Sequence, residues 1–205
     1  MESLGTKGFR SIELAVDPRV LIPRPETEVL VERCLELLGG VDQPRVLDIG
    51  VGSGAIALSI ADERPDALVV ATESSAGALE VAAANKDRLG LDGRVELRLG
   101  DLLAGVEGTF DLVVSNPPYV APEDLDRVEP EVLREPWEAL VGRGHHQEIA
   151  RAAWDVLRPH AALVLEVGDG QARAVARELR ALGYEDVRTT VDLAVRERVL
   201  EARRP

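Results

Sequence analysis

The chain is predicted to fold as an α/β protein: a mostly parallel, seven-stranded sheet with helices on both faces, preceded by a small β-hairpin. Three features point there. From Arg45 onward, short β-branched runs alternate with helical segments of roughly 10–15 residues, the pattern of βαβ units. A glycine-rich turn, Gly50-Val51-Gly52-Ser53-Gly54, lies between the first of these strands and its helix. Asn116-Pro117-Pro118-Tyr119 stops the fourth strand in a stiff loop, because neither proline donates a backbone hydrogen bond and each holds the residue before it extended.

Taken in order, residues 1–10 are polar and read as a frayed end. Residues 11–16 alternate, with Ile12, Leu14 and Val16 on one side; Asp17-Pro18 signals a turn and Val20-Leu21-Ile22 resumes the apolar run, so the hairpin is expected across these two segments. Pro23-Arg24-Pro25 ends it and divides the chain into a tail and hairpin over 1–25 and a main domain over 26–205. Val29, Leu30, Cys34, Leu37 and Leu38 recur at helical spacing, which predicts a helix over 26–38 closed by Gly39-Gly40. Strands are then predicted at 46–49, 67–72, 95–99, 110–115, 161–167, 187–191 and 198–200, and helices at 55–62, 76–89, 148–157 and 171–182. Right-handed crossovers place the loops after the first four strands on one edge of the sheet, the carboxyl edge, where open α/β sheets bind ligands. Residues 121–144 form the longest weakly patterned stretch, with Trp137 and many carboxylates; such a connection suits a lid or partner surface as well as a tolerated insertion.

Composition narrows the function. The 205 residues, 45 % hydrophobic, suffice for one full core, and no run of 18 apolar residues predicts a membrane helix. The first ten residues lack the apolar centre of a signal peptide. One cysteine, Cys34, excludes an internal disulfide and a cysteine-based zinc site, and fits a cytoplasmic, reducing location as a buried apolar residue. A net charge of −13 would be repelled by a phosphate backbone, so direct nucleic-acid binding is not expected. The arginines of 196–204 alternate with Glu197 and Glu201 instead of forming a basic patch. His145-His146 follows Gly142-Arg143-Gly144 and reads as polar loop, with no partner ligands at useful spacing, so no metal is expected. Trp154 shares a helix face with Ile149, Ala153 and Leu157, a core position.

Four polar features fall at four successive strand ends. Gly50 to Gly54 let a ligand approach the backbone and the following helix N-terminus. Glu73 lies 23 residues after Gly50, where a carboxylate can accept from two ribose hydroxyls. Asp101, after the third strand, can accept from an adenine amine. Asn116 carries a donor and an acceptor beside a Pro-Pro backbone, with Tyr119 available to cover a flat group. That loop makes a socket for a planar NH2-bearing group. Singly, each feature also suits a helix cap or a turn; jointly, they are hard to assign to capping.

These residues resemble a known family. Residues 48–55 followed by Asn116-Pro117-Pro118-Tyr119 are similar to class I S-adenosylmethionine-dependent methyltransferases, which have a Rossmann-like fold, and to their N-P-P-Y subset, which methylates adenine N6 or the glutamine side-chain amide. Ile22-Pro23-Arg24-Pro25-Glu26-Thr27-Glu28 resembles the signature of the HemK/PrmC group of protein-(glutamine-N5) methyltransferases, which act on the Gly-Gly-Gln motif of peptide-chain release factors. Leu165-Glu166-Val167-Gly168 and residues 192–200 resemble that group as well. The resemblance implies S-adenosylmethionine as cofactor: Gly50, Val51, Gly52, Ser53 and Gly54 around its methionine part, Glu73 at the ribose, Asp101 and Leu102 at the adenine, and Asn116 beside the methyl. It implies substrate binding by Asn116, Pro117, Pro118 and Tyr119. Asn116 and the Pro117 carbonyl would accept the two amide N–H bonds, with Tyr119 packing beside them as the third catalytic residue. Thr27 and Glu28 would lie over the reaction centre. The family carries an N-terminal helical domain ahead of the hairpin, and only about eight residues precede the hairpin here; shorter relatives in archaea and eukaryotes work with a small zinc-binding partner, which leaves room for a small activating partner. Position 73 is Glu where Asp is usual, followed by Ser74-Ser75.

The expected function is therefore methyl transfer to a glutamine amide in a protein, a release factor first. An N6-adenine methyltransferase shares Asn116 to Tyr119 but conflicts with the acidity. A non-catalytic homologue that binds the cofactor would keep the fold alone. A dinucleotide-dependent oxidoreductase would use Gly50, Gly52 and Ala55 but leave Asn116 to Tyr119 idle.

Overall fold

The computed structural model describes residues 5–120, 122–127, 135–142 and 145–205. A hairpin of β1 (Gly5–Phe9) and β2 (Ile12–Val16) is followed by α1 (Pro25–Leu37) and then by β3 (Arg45–Ile49), α2 (Ala55–Glu63), β4 (Leu68–Glu73), α3 (Ala76–Leu89), β5 (Val95–Leu99) and β6 (Phe110–Ser115). After a 3-10 turn (Pro122–Arg127) come α4 (Trp137–Leu140), α5 (His145–Val156), β7 (Leu157–Glu166), α6 (Ala172–Ala181), β8 (Glu185–Val191) and β9 (Glu197–Arg203).

The seven-stranded sheet has the order β5-β4-β3-β6-β7-β9-β8. Five strands are parallel, with Asp48 opposite both Ala71 and Val114, and β9 enters antiparallel to β7 and β8. Alternate residues of each buried strand feed opposite layers. Val46, Leu112, Val114 and Val164 pack with α1, α2 and the hairpin, whereas Leu47, Val113, Leu163 and Leu165 pack with α5 and α6. The mostly parallel sheet with helices on both faces expected from the strand–helix alternation is thus the one observed.

Local chemistry sets the element ends. Pro25 opens α1 at the position where its missing N–H costs nothing. The Ser75 hydroxyl caps α3 by accepting from the Ala78 amide at 3.3 Å, and Gly90, in the left-handed region, closes that helix.

The hairpin departs from expectation. Gly5–Phe9, read as frayed end, is its first strand, and the reversal falls at Arg10, which takes φ 49°. Residues 20–22 do not pair. The Asp17 carboxylate accepts from the Arg19 amide at 2.9 Å, and the Val20 amide donates to the Asp17 carbonyl at 3.1 Å. This turn drops Val20 against Ala78 and Val81 of α3 instead of into a ladder. The hairpin is also bound to the main layer: Arg10 pairs with Glu63 at 2.5 Å, and Phe9 and Leu14 belong to the α1–α2 core cluster.

His145 and His146, expected in a loop, open α5. His146 is buried because its ring Nε2 meets the Glu166 carbonyl at 2.8 Å, and burial lowers its pKa. Within the long connection over 121–144, residues 121, 128–134 and 143–144 lie outside the described residues. Its described parts include a bridge from Val120 to Val141. Trp154 packs edge-on against Tyr184, with ring centroids 4.9 Å apart. Among the described residues, no helix is long and apolar enough to cross a membrane.

Candidate active site

The connections reverse direction between β3 and β6, and the carboxyl ends of these strands are where an open α/β sheet leaves a crevice. The buried Ser115 hydroxyl donates to the Ile49 carbonyl at 2.6 Å and pins the two ends side by side. A cavity of about 620 Å³ opens there, a size suited to a small-molecule cofactor.

The glycine loop forms one wall. The amides of Gly50 and Val51 donate to the Thr72 carbonyl at 2.9 and 3.0 Å, so the loop hangs from β4. Gly50 and Gly52 take φ 82° and 54°, and a Cβ built on either meets no atom within 4 Å. Both line the cavity, so a side chain there would occupy ligand space. Gly54 behaves differently. Its φ is 92°, a Cβ would come within 2.5 Å of Leu58, and it does not line the cavity. Its place is the tight entry into α2.

Glu73 closes the loop from β4. One carboxylate oxygen accepts from the Gly52 amide at 2.9 Å and the other from the Ser75 amide at 2.9 Å. The second oxygen also accepts from the Ser74 hydroxyl at 3.5 Å, and the first keeps a lone pair for a further donor. Val51, Ser53, Asp101, Leu102 and Asn116 line the same cavity, so eight of the nine residues expected around a cofactor converge on one space.

Beneath the loop lies Asp48, fully buried at the end of β3. One oxygen accepts from the Ala57 amide at 3.1 Å, in the first turn of α2, and the other has no partner. Burial pushes its carboxyl up to about 7; the Ala57 hydrogen bond opposes the rise and nearby Glu73 adds to it. Asn85 of α3 is the second hidden support. Its amide donates to the Ala15 and Ser53 carbonyls, both at 2.9 Å, and accepts from the Ala15 amide at 2.7 Å, tying hairpin to glycine loop.

The Asn116-Pro117-Pro118 loop forms the opposite wall and separates the main cavity from a second one of about 200 Å³. Asn116 Nδ2 donates to the Thr27 hydroxyl, buried in the first turn of α1, at 3.3 Å. Tyr119 lines the second cavity only, so it stands behind the loop and not over the main cavity. Burial, reinforced by the charge of Glu166, pushes its phenol up to about 12, which keeps it neutral. The Gln171 amide holds the Tyr119 carbonyl at 2.9 Å. At the rim, Arg24 pairs with Glu135, and Arg196 with Glu26 at 3.0 Å. Thr27 lines the main cavity; Glu28 does not, and its carboxylate accepts from the Arg10 amide at 3.1 Å.

Sequence reasoning passed over Asp48, Asn85, Ser115 and Glu166. The two acids left a signal: each is a lone carboxylate at or near the end of an otherwise apolar strand. The other two left none, because a buried Asn or Ser is defined by partners distant in sequence.

The chain matches the model of the Methyltransferase small domain family over residues 25–179. It is 42 % identical to the release factor glutamine methyltransferase of Xylella fastidiosa, an alignment covering 98 % of this chain and 75 % of that protein. It is 43 % identical to the protein of that name from Deinococcus radiodurans, covering 98 % of this chain and 72 % of the relative. Among solved structures it resembles the release-factor-specific protein-(glutamine-N5) methyltransferase of Alicyclobacillus acidocaldarius, with a TM-score of 0.54 and 32 % identity over 92 % of this chain and 98 % of that one. Sequence likeness over nearly its whole length, joined to the shared Rossmann-like fold, shows that the chain belongs to the release factor glutamine methyltransferases, enzymes of the class I family that take their methyl group from S-adenosylmethionine.

Proposed function

We propose that this protein methylates the side-chain amide nitrogen of a glutamine in a peptide-chain release factor, within a Gly-Gly-Gln motif. The observation that carries the reading is that the glycine loop and the Asn116-Pro117-Pro118 loop face one cavity, so a donor and an amide held by the two walls would meet. The relatives' names supply the substrate class. The cavity fits the donor: open glycines leave room for it and the Glu73 carboxylate accepts hydroxyls.

S-adenosylmethionine, when bound, supplies a methyl group already activated on a sulfonium. An amide nitrogen is a weak nucleophile because its lone pair is delocalised, so the residues must align and desolvate it. Asn116 and the Pro117 carbonyl accept the two amide hydrogens and point the nitrogen at the methyl. Gly50, Gly52 and Glu73 would hold that donor, and the amide nitrogen held by Asn116 and the Pro117 carbonyl would take its methyl group and give up one proton to water. Both acceptors strengthen as the nitrogen gains positive charge. A release factor substrate carries a cytoplasmic location with it, in keeping with the lone buried thiol of Cys34.

Mass spectrometry of release factor incubated with the enzyme and S-adenosylmethionine is expected to show a gain of one CH2 on the Gly-Gly-Gln glutamine, with no transfer to RNA or DNA. Adding candidate small proteins to the same assay tests for an activating partner. Asn116→Ala is expected to lose about 3 kcal/mol of transition-state stabilisation, on the order of a hundredfold in turnover, while S-adenosylhomocysteine still binds. Turnover at the parent rate would remove Asn116 from the mechanism.

A further inference from the structure

The mechanism gives Asn116 one task, to present an acceptor, yet its amide has two ends of nearly equal shape. If the group turned over, it would offer N–H bonds to an N–H substrate. Something must fix its orientation, and the second cavity shows what does. Glu166 stands at the end of β7, one position past Leu165, which pairs with Ser115 of β6; Asn116 and Glu166 therefore occupy neighbouring strand ends. Glu166 is 1 % exposed and one of its carboxylate oxygens has no hydrogen-bond partner. It lines the second cavity together with Asn116, Pro117 and Tyr119. Thr27, which accepts from Asn116 Nδ2 at 3.3 Å, and Asn116 itself both favour the charged form of this carboxyl.

We infer that Glu166 is a positioning residue for methyl transfer: with Thr27 it holds the NH2 end of Asn116 and so turns the carbonyl end toward the substrate amide. A carboxylate can only accept, so it tolerates one orientation of Asn116. The Thr27 hydroxyl alone, which donates as well as accepts, tolerates both. A buried acid with one oxygen lacking a partner is costly to keep. Here the cost is offset by a defined orientation at the one side chain whose polarity the reaction reads.

Ionised Glu166 enforces the orientation and protonated Glu166 relaxes it, so the inference implies a pH dependence. Burial pushes the carboxyl up to about 7, against hydrogen bonds from Thr27 and Asn116 and the charge of Arg198. The groups that face it are Arg198 from β9, Glu26 from the first turn of α1, Tyr119 from the loop after β6, and His146 of α5 on its backbone carbonyl. Turnover is therefore expected to rise with pH to a plateau through an inflection near 7.

The inference rests on the glutamine reading, and the test separates the two. Turnover and KM for a Gly-Gly-Gln substrate are measured between pH 5.5 and 8.5 for the parent, Glu166→Gln, Thr27→Val and Thr27→Ser, with S-adenosylhomocysteine affinity in parallel. A parent that does not methylate the substrate overturns the reading itself. With an active parent, Glu166→Gln is expected to lose at least tenfold in kcat with little change in KM or S-adenosylhomocysteine affinity, and to lose the inflection near pH 7. Thr27→Ser is expected to recover most of what Thr27→Val loses. Parent-like kcat and pH profile in Glu166→Gln would overturn the inference. If that variant does not fold, the Thr27 pair decides, and equal losses in Ser and Val would overturn it.

Discussion

Replacing Asp48 by Asn should stabilise the protein, and increasingly so as pH rises. The carboxyl is fully buried, keeps one oxygen unpartnered, and has its pKa pushed from 3.8 to about 7. A raised carboxylate pKa works against folding: above 3.8 the unfolded chain sheds the proton while the folded one retains it. The folded state thus binds more protons, and stability must fall as pH rises toward 7. At about 1.4 kcal/mol per pH unit of pKa displacement, the full cost approaches roughly 4 kcal/mol above pH 7. The sequence pI of 4.7 rules out work near that pH, where a protein without net charge precipitates. Between pH 5.5 and 8.5 the cost still grows by about 2 kcal/mol. Urea unfolding of parent and Asp48→Asn at both ends of this range is the assay. The amide's own unmet hydrogen bonds are the same at the two ends, and the other titrating groups contribute alike to parent and variant at each end, so the difference of differences isolates Asp48. The advantage of Asn over Asp should widen by about 2 kcal/mol at the higher pH, or on the order of 4–8 °C in Tm for a chain of this size. An advantage that is flat or shrinks with pH would refute the claim that Asp48 is held protonated by burial.

Gly52→Val should abolish S-adenosylhomocysteine binding by calorimetry, since its side chain projects into open cavity from a residue at φ 54°, while the far-UV spectrum is unchanged. Val195→Gly should raise stability by about 1 kcal/mol in urea, because a β-branched residue at φ 61° with an exposed side chain carries left-handed strain that glycine avoids. Asn85→Ala should cost roughly 3 kcal/mol by the same measurement, leaving buried groups of Ala15 and Ser53 unsatisfied, and should weaken donor binding through the loosened glycine loop.

Hydrophobic periodicity made the sheet legible. Strands at 95–99 and 110–115 fall where the runs place them: the central β6 is buried along most of its length and reads as an apolar run, while the edge strand β5 alternates Val95, Leu97 and Leu99 with Glu96 and Arg98, and the residues that end both are local. The hairpin was misplaced for the complementary reason. Gly5–Phe9 has an exposed pattern until Phe9 and owes its strand to pairing with β2, a tertiary fact. The site divides the same way. The residues we propose meet a ligand sit in loops whose chemistry is readable one residue at a time, as at Gly50, Gly52 and Asn116. The exception is Gly54, where the motif's third glycine serves packing against Leu58, a purpose the spacing does not reveal.

What the sequence hides most completely is the support behind the loops, and the two buried acids explain why. Asp48 and Glu166 lie at or near the ends of β3 and β7, the strands that flank β6 on either side, each behind one wall of the cleft. Asp48 receives the first turn of α2 and so fixes the helix that the glycine loop enters. Glu166 faces Asn116 across a separate cavity. Each costs stability, and neither is needed to fill space, since a Leu or Val at either position would bury more apolar surface. A chain selected for stability alone would replace both. Their presence, one behind the glycine loop and one behind the Asn116-Pro117-Pro118 loop, is what a protein keeps when two loops from different strands must hold fixed positions relative to each other.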